Sequence, residues 1–380
     1  MHDHKQNLCR RKVKHRKNVM GLVFCITVGM VLMFIYYQNR REEIQARQKW
    51  LETVLTEEKK WILENQGPEG EIYMNGSEAG DVNPYFACVA ALGLLAETEQ
   101  CSITEAEKKA AGRYLDWHTG MLLETDGKMG IYRKEGEKLI YKEKADSEDG
   151  YLGMYLFLMG KYLEKTESTD LPDTWKKGIR LALKKIQSLM QDGSTQVSEE
   201  NTTAYLMDNL EVWKGLYKLE QAGLEEDAQL IRALREQLQA QIEKTFWNDK
   251  NHKWRIIRNS DLYDPTAFYP DGVAQIYPLI YGFPAKEKRM QKKLYDQFTE
   301  TFQWQTLDKK SRKFLWTMTG MAAAQVGDIP RLMELLRNYT TEYGEERKYP
   351  LYTGEAGWIC MECEKLYELY ERKMLNFLDD

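Results

Sequence analysis

The connections between helical segments constrain this fold more than any motif does. Past residue 40 the chain reads as twelve helical segments joined by alternating long and short connections. Short links follow the even-numbered segments, and longer ones follow the odd-numbered segments. Six hairpins of this kind that close into a ring place every long loop at one end. The pattern therefore predicts an all-α fold, an (α/α)6 toroid, with one mouth where the even-numbered helices begin.

The distribution of apolar residues supports a ring with two layers of helices. Even-numbered segments such as 88–95 and 153–159 are nearly continuous apolar runs and suit an inner ring. Odd-numbered segments such as 228–244 carry many charges and suit an outer ring. A solenoid of helical pairs is the alternative architecture, but it requires a fixed-period repeat, and the sequence has none.

The N-terminal residues have a different composition from the rest. Seven Lys and Arg residues between positions 5 and 17 precede an uncharged stretch, 19–37. At about 1.5 Å per residue this stretch spans roughly 28 Å, close to the hydrocarbon thickness of a bilayer. We interpret 1–18 as a basic cytoplasmic tail, 19–37 as a transmembrane anchor, 38–49 as a juxtamembrane stalk and 50–380 as the toroid.

This arrangement predicts a single-pass type II protein of the cytoplasmic membrane, whose domain lies outside the cytoplasm. A cleaved signal peptide is the alternative, but the apolar run is long for one and no small-residue cleavage site follows it. The net charge of −5 disfavours a nucleic-acid partner. We expect a monomer.

Cysteines give no metal site in this sequence. Cys360 and Cys363 have CxxC spacing, but no second pair and no nearby histidine completes a zinc site. Both lie inside a helical run, which favours two packed thiols, and a disulfide or a redox role remains as the alternative. We expect neither a metal nor a cofactor.

Acidic residues are concentrated where the even-numbered helices begin. They are Asp81, Asp146, Glu148, Asp149, Asp208, Glu211, Asp264, Asp271 and Glu355. Capping of free N–H groups accounts for an acid at a helix start, as at Asp146, Asp264 or Glu355. It accounts poorly for Asp208 and Asp271, which follow the first turn.

A cleft with several carboxylates suits hydrolysis of a glycosidic bond, in which one carboxyl donates a proton and another activates water. Crowding and burial of carboxylates raise one pKa and leave the partner ionised. Aromatic residues near the same end, Tyr85, Trp117 and Tyr269 among them, could stack on sugar rings or anchor loops.

Five short motifs carry a family resemblance. They are Asp81-Val-Asn-Pro-Tyr-Phe-Ala87, Asp146-Ser-Glu-Asp-Gly-Tyr151, Leu206-Met-Asp-Asn-Leu-Glu-Val212, Phe268-Tyr-Pro-Asp-Gly-Val-Ala-Gln275 and Gly354-Glu-Ala-Gly-Trp358. Together they resemble the signatures of six-hairpin glycosidases, most of all bacterial glycoside hydrolase family 8-like proteins associated with exopolysaccharide. The resemblance covers about residues 50–375. It implies an (α/α)6 barrel and an inverting mechanism with a glutamate acid and an aspartate base.

The resemblance also suggests residue roles. Asp81 stands at the position where family 8 has its acid. Glu78 lies in a local sequence that resembles the one around the family's acid, but it is three residues closer to the N-terminus. Asp149 or Asp146 resembles the central-subsite acid and is our candidate base, and Asp208 is a further catalytic candidate. The predicted substrate-binding residues are Asp271, Glu355, Tyr85, Trp117, His118, Asn209 and Tyr269.

These residues lead to a primary hypothesis and two alternatives. The primary one is a membrane-anchored glycoside hydrolase acting on an exopolysaccharide or a cell-wall glycan. A non-catalytic glycan-binding or secretion-accessory protein could use the same scaffold. A polysaccharide lyase is the third possibility, and it requires a Tyr or His base near an Arg or Asn.

Overall fold

The computed structural model describes residues 2–75, 80–136, 138–167, 171–285, 288–307 and 314–379. Side chains are described from residue 24 to residue 373, apart from Cys25 and Lys288. The chain divides into two compact units. One combines the first 51 residues with the chain from Tyr370 onward, and the other runs from Glu52 to Leu369. The second unit contains all the residues discussed below as a functional site.

Twelve α-helices lie within the described ranges, as the sequence predicts. They are α1 His2–Glu64, α2 Pro84–Leu94, α3 Glu105–Glu124, α4 Glu148–Thr166, α5 Asp173–Leu189, α6 Leu206–Gln221, α7 Ala228–Phe246, α8 Val273–Ile280, α9 Lys288–Phe302, α10 Thr319–Val326, α11 Ile329–Tyr343 and α12 Thr353–Asp379. The sequence pattern predicts that α6 and α8 begin at positions 202 and 265, and both begin later because irregular loop precedes them. An irregular turn, Phe268–Gly272, leads directly into α8.

The even-numbered helices form the inner ring. Helix α4 packs between α2 and α6, and α8 packs between α6 and α10. The ring closes through α12, since Glu362 of α12 lies against Gly320 of α10 and Gly357 lies against Val89 of α2. Residues 87–94 of α2 are buried on every side, as expected of a helix with neighbours all round.

The odd-numbered helices lie outside this ring. Helix α3 packs against α2 and α5, α7 packs against α6, and α9 and α11 pack against α8 and α10. Buried polar contacts join α1 to its outer neighbours on both sides. Lys59 donates to Glu107 of α3 at 3.2 Å, and Tyr339 of α11 donates to Glu58 at 2.7 Å. The prediction of an all-α toroid is confirmed for this unit.

Glycines allow the inner helices to approach closely. A Cβ added to Gly153 of α4 would lie 2.6 Å from the backbone nitrogen of Val212, and one on Gly215 of α6 would lie 2.3 Å from the carbonyl oxygen of Gly153. Any larger side chain here would have to push two backbones apart. The contact of α4 with α6 brings the beginnings of these two helices side by side.

Short strands occur only in the long connections of the described chain. Strands β1 Asp81–Val82, β2 Gly130–Glu135 and β3 Lys138–Lys144 form an antiparallel sheet in that order. The ribbons β4 Met190–Gln191 with β5 Ser194–Thr195, and β6 Trp247–Asn248 with β7 Lys253–Trp254, close two other long connections.

The N-terminal residues from His2 onward belong to the single helix α1. In the part of the chain that the structure describes, no helix is long and apolar enough to cross a membrane. The predicted anchor at 19–37 begins before the first described side chain, and the basic tail at 1–18 lies wholly before it. The transmembrane prediction is therefore not confirmed.

The CxxC cysteines are buried, unpaired thiols on α12. Burial raises the pKa of both Cys360 and Cys363, which keeps them protonated and unreactive at neutral pH. This agrees with the interpretation as two packed helix-face thiols.

Candidate functional site

The first turns of α4 and α6 bring three carboxyl groups together. Ser147 caps α4 by accepting a hydrogen bond from the Gly150 N–H at 3.1 Å, which leaves Asp149 in the first turn facing the ring interior. On α6, Asp208 and Glu211 are three positions apart and so lie on one face of the helix. We call Asp149, Asp208 and Glu211 the carboxyl cluster.

Asp149 is fully buried within this cluster. Its Oδ1 accepts hydrogen bonds from the Ser147 hydroxyl at 2.8 Å and from the Gly150 N–H at 3.0 Å. Its Oδ2 accepts none from the side chains and backbone that the structure describes. Burial raises the pKa of Asp149 to about 6, so the carboxyl titrates near neutral pH.

Asp208 is the partly exposed member of the cluster. Its enclosed position and the neighbouring charges of Asp149 and Glu211 raise its pKa well above the ordinary value for aspartate. Like charges this close cannot all ionise, so the cluster holds protons at neutral pH and titrates as a unit. A site of this kind can both donate and accept a proton.

Glu211 is the third member of the cluster, and its side chain is 3% exposed. Its Oε1 accepts hydrogen bonds from the hydroxyls of Tyr85 and Tyr277, both at 2.6 Å, and of Tyr281 at 3.4 Å. These tyrosines come from α2, α8 and the residue that follows α8. Burial raises the pKa of Glu211 to about 7, although the hydrogen bonds oppose the shift.

Aromatic rings form a continuous band beside the cluster. Successive ring centroids lie 4.8 to 6.1 Å apart along the series Tyr349, Tyr352, Phe86, Phe314, Trp316 and Tyr269. Tyr349 is 65% exposed and Tyr269 is 54% exposed. Partial burial and the charges of Asp208, Asp146 and Glu211 raise the pKa of Tyr269 to about 12. We call this series the aromatic band.

Asp81 does not join the carboxyl cluster. It lies in β1 and is paired with Arg133 of β2 at 2.8 Å and with Lys142 of β3 at 2.6 Å. Bonds from both cations lower its pKa. An ionised, ion-paired carboxylate is a poor proton donor, so the structure disfavours the predicted acid role of Asp81. The other candidate acid, Glu78, lies outside the described residues.

Two predicted substrate-binding residues have structural roles instead. His118 is 1% exposed, with Nδ1 3.1 Å from the Tyr114 hydroxyl, and burial lowers its pKa to about 3. Asn209 is fully buried and uses its amide to bind the backbone of Thr195 and Tyr205. The structure buries both side chains and so disfavours substrate binding by either, and the sequence alone did not reveal this burial.

The remaining predicted residues lie around the mouth with different partners. Asp146 is exposed just before the Ser147 cap, so it does not cap α4 as expected. Asp271 is 9% exposed and accepts a hydrogen bond from the Asp264 N–H at 2.7 Å. This bond closes the loop before α8. Trp117 is half-buried against Tyr132, with ring centroids 6.1 Å apart.

Glu355 is buried in the first turn of α12 and binds a neighbouring loop. Its carboxylate accepts hydrogen bonds from the N–H groups of Trp316 and Thr317 at 3.1 and 2.9 Å, so it holds the loop that carries part of the aromatic band. This differs from the expected capping of its own helix. Burial raises its pKa.

Glu362 lies two turns beyond Glu355 and is fully buried, and no side chain among the described residues hydrogen-bonds its carboxyl oxygens. The backbone N–H groups of Gly320 and Met321 favour its charged form only in part. Burial raises its pKa well above the ordinary value of 4.5. The folded state therefore binds more protons than the unfolded chain above that pH, and stability falls as pH rises. We expect Glu362→Gln to be more stable than wild type at pH 8 and about equal to it at pH 4.

Chemical unfolding at pH 4, 6 and 8 measures this difference. Glu364→Gln is the matched control, since Glu364 pairs with Lys161 and Lys165 and its loss should bring no gain at pH 8. A stability difference that is the same at every pH for Glu362→Gln would contradict the explanation.

Among the described residues no group of three or more His, Cys, Asp or Glu side chains is arranged to hold a metal ion. We therefore assign no metal ligands, and the expected absence of a cofactor stays a prediction.

The sequence did not predict Glu211 of the carboxyl cluster, or the two tyrosines in and just after α8 that bind it, as site residues. Glu211 was noted among the acids but not as a site residue, and Tyr277 and Tyr281 were not singled out. The spacing of Asp208 with Glu211 and of Tyr277 with Tyr281 puts each pair on one helix face, and this was the available signal.

No family model matches the chain, and no curated protein matches it by sequence. Several solved structures share its fold at low sequence identity. A glycosidase variant in complex with glucose has a TM-score of 0.58 at 12% identity, covering 87% of this chain and 98% of the other. A D-mannose isomerase has a TM-score of 0.55 at 10% identity, covering 84% and 97%.

A third similar structure is an inactive α-1,6-mannanase variant from Salegentibacter sp. in complex with α-1,6-mannotriose. Its TM-score is 0.51 at 9% identity, covering 85% of this chain and 99% of the other. At these identities the similarities establish the shared fold. Because structures of this fold include both hydrolases and an isomerase, activity has to be argued from the site.

Proposed function

We propose that the protein is a glycoside hydrolase that cleaves a polysaccharide, either an exopolysaccharide or a cell-wall glycan, and acts as a monomer. The observation that carries the proposal is the carboxyl cluster, whose three members all have raised pKa values beside an exposed aromatic band. Glycoside hydrolysis needs one protonated carboxyl and one ionised carboxylate at the same bond, and a crowded cluster supplies both near neutral pH.

Asp208 and Glu211 are the proposed reacting pair. Asp208 is the member open to a ligand, and Glu211 has a pKa of about 7, which suits proton transfer near neutral pH. Asp149 sits next to them and adjusts their protonation through its charge. This replaces the assignment of the acid to Asp81 suggested by the family 8 resemblance.

The aromatic band supplies the binding surface in this proposal. Flat rings such as Tyr269 and Tyr349 present exposed faces suited to the apolar faces of sugar rings. A series of rings leading to the cluster favours a polymer that occupies several subsites over a single small sugar.

Incubating the purified protein with a panel of bacterial exopolysaccharides and wall glycans tests the proposal. We expect reducing ends to increase without products that absorb in the ultraviolet. Proton NMR during turnover gives the anomer formed first, for which the family 8 resemblance favours inversion. Oligosaccharide binding without cleavage would identify a glycan-binding protein, and unsaturated products would identify a lyase.

We also propose that the N-terminal part of α1 anchors the protein in the cytoplasmic membrane as a single-pass type II segment. Seven consecutive residues, 30–36, are apolar or aromatic, and all are exposed. Because seven residues make about two helical turns, these side chains cover every face of the helix. Such a helix needs an apolar environment.

Membrane fractionation of cells that express the full chain tests the anchor. We expect the protein in the membrane fraction after alkaline carbonate extraction. The double variant Val28→Arg, Val31→Arg should appear in the supernatant, since each arginine adds about 2.5–3.5 kcal/mol to insertion. Retention of that variant in the membrane fraction would count against the anchor.

A further inference from the structure

The hydrogen bonds on Glu211 are unevenly divided between its two oxygens. Oε1 accepts two hydrogen bonds of 2.6 Å, from Tyr85 and Tyr277, and a longer one of 3.4 Å from Tyr281. The Tyr85 hydroxyl also lies 3.4 Å from that of Tyr277 and 3.3 Å from that of Tyr281. The three phenols thus converge on one carboxylate oxygen.

The number of protons in this group restricts where a further proton can go. Each phenol has one hydroxyl proton, and a carboxylate oxygen has two lone pairs. The two short bonds from Tyr85 and Tyr277 occupy both lone pairs of Oε1. A proton taken up by Glu211 therefore has to reside on Oε2, unless one tyrosine gives up its bond.

Oε2 accepts none of these tyrosine hydrogen bonds and lies close to Gly150. A Cβ added to Gly150 would lie 2.6 Å from Oε2, so the glycine in the first turn of α4 leaves room for this oxygen. Gly150 directly follows Asp149, and Oε2 thus faces the side of the carboxyl cluster.

We propose that Tyr85 and Tyr277 are positioning residues that keep Oε1 of Glu211 as a hydrogen-bond acceptor and leave Oε2 as the oxygen that carries and transfers the proton. The inference deepens the proposed function and rests on it only for the step in which the proton reaches the glycosidic oxygen. In that step the O–H bond at Oε2 breaks as the leaving-group oxygen gains the proton, and the glycosidic C–O bond breaks with its electron pair on that oxygen. Water adds to the anomeric carbon and gives a proton to Asp208, while Glu211 becomes a carboxylate that Tyr85 and Tyr277 stabilise.

The inner ring explains why this arrangement is stable. Tyr85 lies on α2, Glu211 on α6 and Tyr277 on α8. The packing of these three inner helices therefore fixes the distances from the two hydroxyls to the Glu211 carboxylate. Burial of Tyr277 and Tyr281 raises their pKa values far above the ordinary range, which keeps both phenols protonated and able to donate.

Infrared difference spectroscopy on the full chain tests the inference without requiring turnover. The carbonyl band of protonated Glu211, obtained as wild type minus Glu211→Gln, is followed from pH 4 to pH 10. We expect a midpoint near 7 for wild type. Removing a donor to the charged form should raise the midpoint by about one unit in Tyr277→Phe.

Tyr155→Phe is the matched control, because it removes a buried inner-ring hydroxyl that bonds Thr119 at 2.9 Å and does not touch Glu211. Its midpoint should equal that of wild type. Tyr85→Phe serves as the second variant if Tyr277→Phe does not fold. An unchanged midpoint in the tyrosine variants would overturn the inference.

Activity separates this inference from the proposed function. For an active enzyme, the basic limb of the kcat/KM profile should move upward together with the infrared midpoint in Tyr277→Phe. A shifted midpoint in a protein that cleaves no glycan would support the positioning role and reject the hydrolase. Glycan cleavage with an unshifted midpoint would support the hydrolase and reject the positioning role.

Discussion

Glu211→Gln and Asp208→Asn are each expected to lower kcat for glycan hydrolysis by about 10²–10⁴-fold, the usual loss when a general acid or base is removed. Both substitutions keep the shape of the side chain and remove its ability to exchange a proton. KM should change little, because the aromatic band carries most of the proposed sugar contact. Reducing-end assays on the cleaved glycan measure the effect, with circular dichroism to verify folding.

Asp81→Asn provides the matched control for this prediction. Asp81 is the acid suggested by family resemblance, but its ion pairs with Arg133 and Lys142 place it outside the carboxyl cluster. We expect activity within about threefold of wild type, since exposed ion pairs contribute little to stability or geometry. If Asp81→Asn abolishes hydrolysis and Glu211→Gln does not, the assignment made from the sequence is right and ours is wrong.

Substitution of a glycine at the contact between α4 and α6 should strongly lower the stability of the fold. We expect Gly153→Val to destabilise the fold by about 3–5 kcal/mol, or to prevent folding, because overpacking at this site has no space to relax. The added Cβ would lie 2.6 Å from the Val212 nitrogen and 2.7 Å from the Glu211 carbonyl carbon. Both are backbone atoms, which cannot move aside as a flexible side chain can.

Gly120→Ala is the control for this substitution. A Cβ at Gly120 in α3 has no heavy atom within 4 Å. Because alanine lowers the conformational entropy of the unfolded chain, we expect a gain of about 0.5–1 kcal/mol. Urea denaturation of both variants gives the comparison, and a Gly153→Val protein as stable as wild type would refute the explanation of close helix contact.

Local patterns were enough to predict the helices and the mouth. Helical periodicity, turn residues and connection lengths predicted all twelve helices and the inner and outer layers, since these signals act over a few residues. They also located the acids at one end of the ring. Helix starts were less accurate, as at α6 and α8, because capping and irregular turns depend on neighbours outside the segment.

The chemistry of individual residues was predicted less well. His118 and Asn209 looked accessible from their positions near helix ends, yet both are buried in structural contacts. Asp81 looked like an acid by its place before α2, yet two cations of the adjacent strands hold it ionised. In each case the deciding factor, burial or ion pairing, arises from packing against other parts of the chain, such as Cys88 for His118, Thr195 for Asn209 and Arg133 for Asp81.

The sequence by itself determined a ring of helical hairpins with an acidic mouth, because periodicity and loop length are properties of short stretches. Only the tertiary structure decided which carboxyls meet there. Asp149 and Glu211 lie more than 60 positions apart, and Tyr85 is 126 positions from Glu211. Their protonation depends on shared burial and on charges carried by different helices, and these arise only when the inner ring closes.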